Sequence, residues 1–257
     1  MIPEVFVTAW SVEHPWPLQA QVEQDLLLSR AICAIGRHPY LGEELIFRGG
    51  TALHKLHLDR PRRYSEDLDY VRRTDDGIGK LTRALTDLGK QLEFEVSTKI
   101  GTYPKVLWRG RAVDGSKLRI KIEVNTRERE PLIEPVRLRH QVNSQWWTGE
   151  EDILTCHPVE LMATKVRALY QRSKGRDLFD LWLALTALSL DPEQIMKAFA
   201  MYRPPGLTST VAEKNLRSKV ADAEFRGDLD PLVNAAPNAY DIDAAADLVI
   251  EELFRRL

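Results

Sequence analysis

FRGGTALHKLHLDRPRRYSEDLDYV, residues Phe47 to Val71, joins a glycine pair to a patterned set of carboxylates. Arg48-Gly49-Gly50-Thr51 follows the short apolar run Leu45-Ile46-Phe47 and precedes the helical pattern Ala52, Leu53, Leu56. A glycine turn that opens a helix suits a phosphate: a backbone without Cβ can take φ above zero and bring its N–H groups close to an anion, which the positive end of the helix dipole favours. Lys55, about one turn into this helix, is either a solvated lysine or a phosphate contact. Ser65-Glu66-Asp67-Leu68-Asp69 reads as a strand. Side chains alternate there, so Ser65, Asp67 and Asp69 share one face.

Two like charges side by side stay ionised only with a cation near them, and oxygen-only donors suit magnesium or manganese. The same run also fits a solvent-facing acidic edge strand behind an ordinary glycine turn. Residues 118–124 alternate as well, with Leu118, Ile120, Ile122 and Val124 on an apolar face and Arg119, Lys121 and Glu123 on the other. If that strand lies beside Asp67 and Asp69, Glu123 becomes a third metal ligand in a site able to clamp a triphosphate and activate an attacking hydroxyl. Otherwise Glu123 is a surface acid paired with Lys121 or Arg119.

Working outward, residues 18–36 and 78–92 carry helical periodicity, 94–100 and 105–113 read as strands, and Asp114-Gly115 makes a hairpin turn. Residues 1–17 and 126–157 read as irregular, and Trp146-Trp147 in the latter either stack on a base or pack inward. Pro158 opens a helix to about residue 173, and a second runs from Arg176 through Leu188. Asp177 and Asp180 share a face near its start, where capping alone would account for one acid. Helices near 193–203, 208–224 and 241–257 follow, with a loop holding Pro231 and Pro237 before the last. Arg203, Lys214, Arg217 and Lys219 form a basic stretch, either a solvated helix face or a surface for RNA backbone.

Four motifs occur in order: G-G-T-A-L from Gly49, R-x-S-x-D-x-D from Arg63, I-x-I-E ending at Glu123, and K-x-R…K-G-R-D-L-F-D-L from Lys165. Together they resemble the AbiEii/MenT nucleotidyltransferase toxins over roughly residues 20 to 190. The resemblance implies an α+β fold like that of DNA polymerase β, a mixed sheet with helices followed by a mainly helical C-terminal region. It suggests an α/β nucleotidyltransferase domain at 1–150 and a helical domain at 151–257 that completes the active site. It also implies a toxin of toxin–antitoxin and phage-defence systems, neutralised by a cognate antitoxin protein, with an NTP as substrate and Mg2+ or Mn2+ as cofactor. The acceptor it suggests is RNA, with tRNA 3′ ends foremost. The family's functional lysine and acid match Lys165 and Asp180. Thr51, Arg176 and Asp177 lie in the same motifs, on the nucleotide side. Transfer to a protein side chain, or nucleotide binding without turnover, are the competing functions.

Composition narrows the rest. The 257 residues, 44% hydrophobic and 29% charged, describe a globular chain with a formal net charge of −2, so any RNA contact must come from a local patch. Cys33 and Cys156 are far apart and lack metal-ligand spacing. No apolar run approaches the ~20 residues of a membrane span, and the first residues carry acid and proline where a signal peptide needs a basic then apolar stretch. The expectation is a cytoplasmic protein with reduced thiols and no membrane contact.

Overall fold

The structure, a computed structural model, describes residues 2–101, 103–234 and 240–257, so Pro237 lies outside the described residues. The chain divides into two compact units, Met1–Cys156 and His157–Leu257.

The first unit opens with α1 (Glu4–Ser11), α2 (Gln19–Arg37) and α3 (Leu41–Glu44), then β1 (Leu45–Arg48), α4 (Gly49–Ala52), β2 (Asp67–Arg72) and α5 (Ile78–Gln91). Five strands complete it: β3 (Glu95–Lys99), β4 (Lys105–Arg111), β5 (Lys117–Asn125), β6 (Val136–Asn143) and β7 (Thr148–Thr155). The sheet has seven strands in the order β3-β4-β5-β2-β1-β7-β6. It is mixed, because β2 pairs in parallel with β5 and β1 with β7, while the remaining pairs are antiparallel. Alternation explains its layers. Ile120, Ile122, Val106 and Trp108 turn to one face and form the core with Leu28, Ile32 and Ile35 of α2 and Leu81 and Leu85 of α5. The opposite residues of these strands are the charged ones.

Two stretches that read as irregular are ordered elements. Residues 126–157 contain the hairpin β6–β7, whose strands are hard to see because they bury few apolar residues, Val142 and Ile153 among them, and carry charge pairs on the exposed side. Arg139 meets Asp152 at 2.8 Å and Glu150 at 3.1 Å. This hairpin is tied to β1 where the Cys156 amide and the Thr155 hydroxyl both donate to the Phe47 carbonyl, at 3.0 and 2.9 Å. In the other stretch, α1 docks through Trp10, whose Nε1 donates to Asp25 Oδ2 at 2.9 Å while its ring stacks on His14.

Lys55 belongs to this buried cluster. After α4 the chain makes one π-helical turn, Leu53–His57. The turn aims Lys55 Nζ at Asp25 Oδ2, 2.7 Å away, and at Ser29 Oγ, 3.0 Å away. The Lys55 side chain is 5% exposed and that of Asp25 1%. Against the cost of burial, the Lys55 charge holds the Asp25 carboxyl below the usual carboxylate range. Lys55 is thus not a solvated lysine, and its ammonium is held by Asp25 and Ser29.

The second unit is helical throughout its described elements: α6 (Pro158–Gln171), α7 (Gly175–Thr186), α8 (Pro192–Phe199), α9 (Ser209–Val220), α10 (Ala223–Gly227) and α11 (Ile242–Glu252), with two 3-10 turns. His157 caps α6 by accepting from the Val159 amide, and Pro158 fills the first helical position, where a missing N–H costs nothing. The basic stretch read as a solvated face is largely engaged. Lys219 Nζ donates to the carbonyls of Leu169, Tyr170 and Arg172 at the end of α6, and Arg217 pairs with Asp247 at 2.5 Å. Among the described residues no helix is long and apolar enough to cross a membrane.

Breaking a buried ion pair by removing one partner leaves the other charge uncompensated, at a cost of about 3–5 kcal/mol. Lys55→Ala is therefore expected to lower the denaturation free energy by that order and leave NTP affinity per folded molecule unchanged, measured by urea unfolding and by nucleotide titration. Loss of NTP affinity with stability intact would return Lys55 to the nucleotide.

Candidate active site

The site grows from the end of β1. Arg48 is the last residue of that strand, and Gly49 leaves it with φ +81°, a conformation that side chains with a Cβ rarely adopt. The register then sets Arg48 opposite Asp69 on β2, Asp69 opposite Glu123 on β5, and Asp67 opposite Lys121. Opposed residues share a face, so the structure brings Asp67, Asp69 and Glu123 onto one surface of three adjacent strands, as the alternation predicts.

Gly49 is needed for a second reason. A Cβ there would sit 2.6 Å from Asp69 Oδ2, and one on Gly50 would sit 2.4 Å from Arg63 Nη2 and 3.3 Å from Ser65 Oγ. The glycine turn thus lies directly against the carboxylate face on one side and a buried guanidinium on the other. Thr51 fastens turn to strand: its Oγ1 is hydrogen-bonded to the Asp67 carbonyl at 2.6 Å and to Ser65 Oγ at 2.9 Å. Gly49, Gly50, Thr51 and Ser65 therefore meet Asp67 and Asp69 in one place.

Partial burial and the neighbouring Asp67 charge push the Asp69 carboxyl above the usual carboxylate range, with Arg48 and Lys121 opposing. Lys121 relieves part of the crowding. Its Nζ is 2.7 Å from Asp67 Oδ2 and 3.8 Å from Glu123 Oε2, and despite its own partial burial the hydrogen bond to Asp67 raises its pKa. Glu123 is held at 2.8 Å by Lys105. Among the described residues no group of three or more His, Cys, Asp or Glu side chains is placed to hold a metal ion. Asp67 and Asp69 stand as a pair, and Glu123 is turned to its lysines. The pair itself suits a hard divalent cation, because two oxygen donors whose charges repel gain from a cation between them.

Arg48 and Lys121 are parts of this site to which sequence reading gave no role. Lys121 shares the alternating face with Glu123, so its signal was present. Arg63 opens the R-x-S-x-D-x-D motif, but only the fold places it against Gly50.

In the second unit Lys165 on α6 is held between two acids of α7, 2.9 Å from Asp177 Oδ1 and 2.7 Å from Asp180 Oδ2. Both acids are fully buried. Arg172 adds a second cation to Asp177 at 2.6 Å, and against burial these charges hold the Asp177 carboxyl below the usual range. Asp177 is accordingly more than a cap. Lys174 and Arg176 both face Asp228, at 3.5 and 3.7 Å. Arg62 likewise pairs with Asp59 at 2.8 Å. The basic residues Arg62, Arg172, Lys174 and Arg176 are thus each paired with an acid.

A family model described as nucleotidyl transferase AbiEii toxin, type IV TA system, matches residues 30–248. No curated protein matches the chain. Among solved structures, the MenT4 nucleotidyltransferase toxin of Mycobacterium tuberculosis H37Rv is 15% identical, aligned over 98% of this chain and 88% of that one with a TM-score of 0.69. At that identity the likeness establishes the nucleotidyltransferase fold and nothing finer. An antigenic nucleotidyltransferase-like protein from Paracoccidioides brasiliensis aligns over 91% of this chain and 96% of that one at 17% identity, with a TM-score of only 0.38.

Gly49→Ala tests the turn. A left-handed backbone costs a residue with a Cβ about 1–2 kcal/mol, and here the new methyl also displaces the Asp69 carboxylate. Thermal denaturation should show that loss, and an Ala variant as stable as the parent would mean that the turn is not built as described.

Proposed function

The chain belongs to the AbiEii nucleotidyl transferase toxin family of type IV toxin–antitoxin systems, and from that premise we propose that it transfers a nucleoside monophosphate from an NTP to RNA, with tRNA 3′ ends the foremost acceptor. Such a transfer would block translation and growth until an antitoxin, the partner that the family implies, intervenes. The observation that carries the reading is the meeting of a glycine turn with paired carboxylates: Gly49 packs so closely on Asp69 that a single Cβ would collide with its carboxylate.

The residues have separable tasks. The Gly49 and Gly50 amides and the Ser65 hydroxyl would hold the triphosphate, with the Arg63 guanidinium beside Gly50 adding positive charge. Asp67 and Asp69 would hold magnesium or manganese, with Glu123 nearby, and would exchange Lys121 for it at Asp67. A bound divalent ion would supply charge neutralisation on the phosphates and on the attacking oxygen. Lys165, Asp177 and Asp180 are proposed, from the family motif alone, as the second unit's contribution to activity, and Arg176 as a nucleotide contact.

Removing either carboxylate should cost several kcal/mol of transition-state stabilisation without harming the fold, since a like-charge repulsion disappears with it. Asp67→Ala and Asp69→Ala are thus expected to melt no lower than the parent and to lose transfer by a factor of a thousand or more on the order of such metal effects. The assay is incubation with each α-labelled NTP, magnesium and total cellular RNA or protein. Label on RNA that vanishes in both variants supports the proposal. Full activity in either variant removes the carboxylate site, and label on protein alone removes the RNA acceptor.

A further inference from the structure

The face that carries Asp67 and Asp69 continues across β5, β4 and β3, and its charge there is lopsided. Cross-strand register opposes Arg109 to Arg119, Arg111 to Lys117, and Lys99 to Lys105. Like charges directly opposite one another destabilise a sheet. The β6–β7 hairpin differs: Arg139 stands opposite Asp152 and pairs with it at 2.8 Å. Lys105 is answered by Glu123 of β5 at 2.8 Å, but the Arg109–Arg119 and Arg111–Lys117 positions of β4 and β5 hold no acid. Arg109 donates to Ser97 Oγ at 2.5 Å and Arg111 to the Gly115 carbonyl at 3.3 Å, and Glu95, opposite Arg109, is the acid nearest in register. Lys99, Arg111, Lys117 and Arg119 are exposed and, among the described residues, form no ion pair. In a chain of net charge −2 this concentration is a local feature and not a reflection of composition.

We infer that the open face of β3, β4 and β5 binds the phosphate backbone of the acceptor RNA and leads it to Asp67 and Asp69; this rests on the nucleotidyl-transfer reading above. Same-face residues recur about every 6.7 Å along a strand and about 4.8 Å between strands, so the cations form a regular grid one strand away from β2. Apart from Leu107 the grid offers no large apolar group. A protein partner would want an apolar centre to its interface, whereas a sugar–phosphate chain needs only an array of cations. Arg172, Lys174 and Arg176, by contrast, already face Asp177 and Asp228.

The test is the combined variant Arg109→Gln, Arg111→Gln, Lys117→Gln, Arg119→Gln, none of which touches the carboxylate pair. Binding is measured against a fluorescent single-stranded RNA and against poly-glutamate of matched charge, over a range of salt. The variant should bind the RNA at least tenfold more weakly, with the slope of log K against log salt reduced by about 0.7 for each contact removed. Its melting temperature should hold or rise, because two like-charged pairs are gone. In the labelled-NTP assay its KM for RNA should rise while its KM for NTP stays put. Unchanged RNA affinity and salt slope overturn the inference, as does poly-glutamate binding the parent as tightly as RNA and losing affinity equally in the variant. Label on RNA from both proteins with equal KM sinks this path alone, whereas label on no RNA sinks the transfer reading beneath it.

Discussion

The register of three neighbouring strands is the constraint on which the site depends. Arg48, Asp69 and Glu123 stand abreast on β1, β2 and β5 because Phe47, Leu68, Tyr70 and Ile122 are buried on the other face. Each such side chain contributes about 1.5–3 kcal/mol when withdrawn from water. A slip of one residue would turn that apolar set to solvent and bury the carboxylates, so the core fixes the position of the acids. Their mutual repulsion is then held in place by burial elsewhere, which is how a crowd of like charges survives in a folded protein. Gly49 is the complement to this register: it is the one residue type that lets the backbone turn at φ +81° with Asp69 at its side.

Much of this was legible in the chain. The alternation of Asp67 and Asp69 and of Arg119, Lys121 and Glu123 marks both strand faces, whereas Ser65, read into the same strand, precedes β2; the strands of Asp69 and Glu123 do adjoin, the condition on which Glu123 was read toward the site. What escaped had physical reasons. The hairpin β6–β7 buries few apolar side chains, Val142 and Ile153 among them, and sets Arg139, Asp152 and Glu150 on its other face, so its apolar stripe is too sparse to mark it as strands. Helix α1 is too short to show periodicity and is secured by a distant residue, Asp25, through Trp10. Lys55 reads as a helix-surface lysine because regular helical spacing says nothing of the π turn that redirects it inward. The pairing of basic residues with acids is likewise a tertiary fact, invisible in a list of charges.

The second unit shows the same economy of buried charge. Lys165 sits between Asp177 and Asp180 and joins α6 to α7, while Lys219 of α9 closes the carbonyl end of α6. Desolvating such groups is unfavourable unless every one is matched, and here each acid has a cation and the α6 terminus has its donor. Local chemistry alone therefore accounts for why these residues are rigid. A buried lysine between two acids provides a fixed point around which a helical unit can be built.

The central claim, that the face of β2 beside the Gly49 turn is where nucleotide and metal meet, is tested most directly by paramagnetic broadening of amide resonances with manganese. Titrating Mn2+ into isotope-labelled protein with a non-hydrolysable NTP should broaden first the amides of Gly49, Gly50 and Ser65 through Asp69, and should do so far more strongly with the nucleotide than without it. Broadening that ignores the nucleotide, or that centres on the buried cluster of Asp25 and Lys55 while leaving Gly49 to Asp69 sharp, would contradict the account.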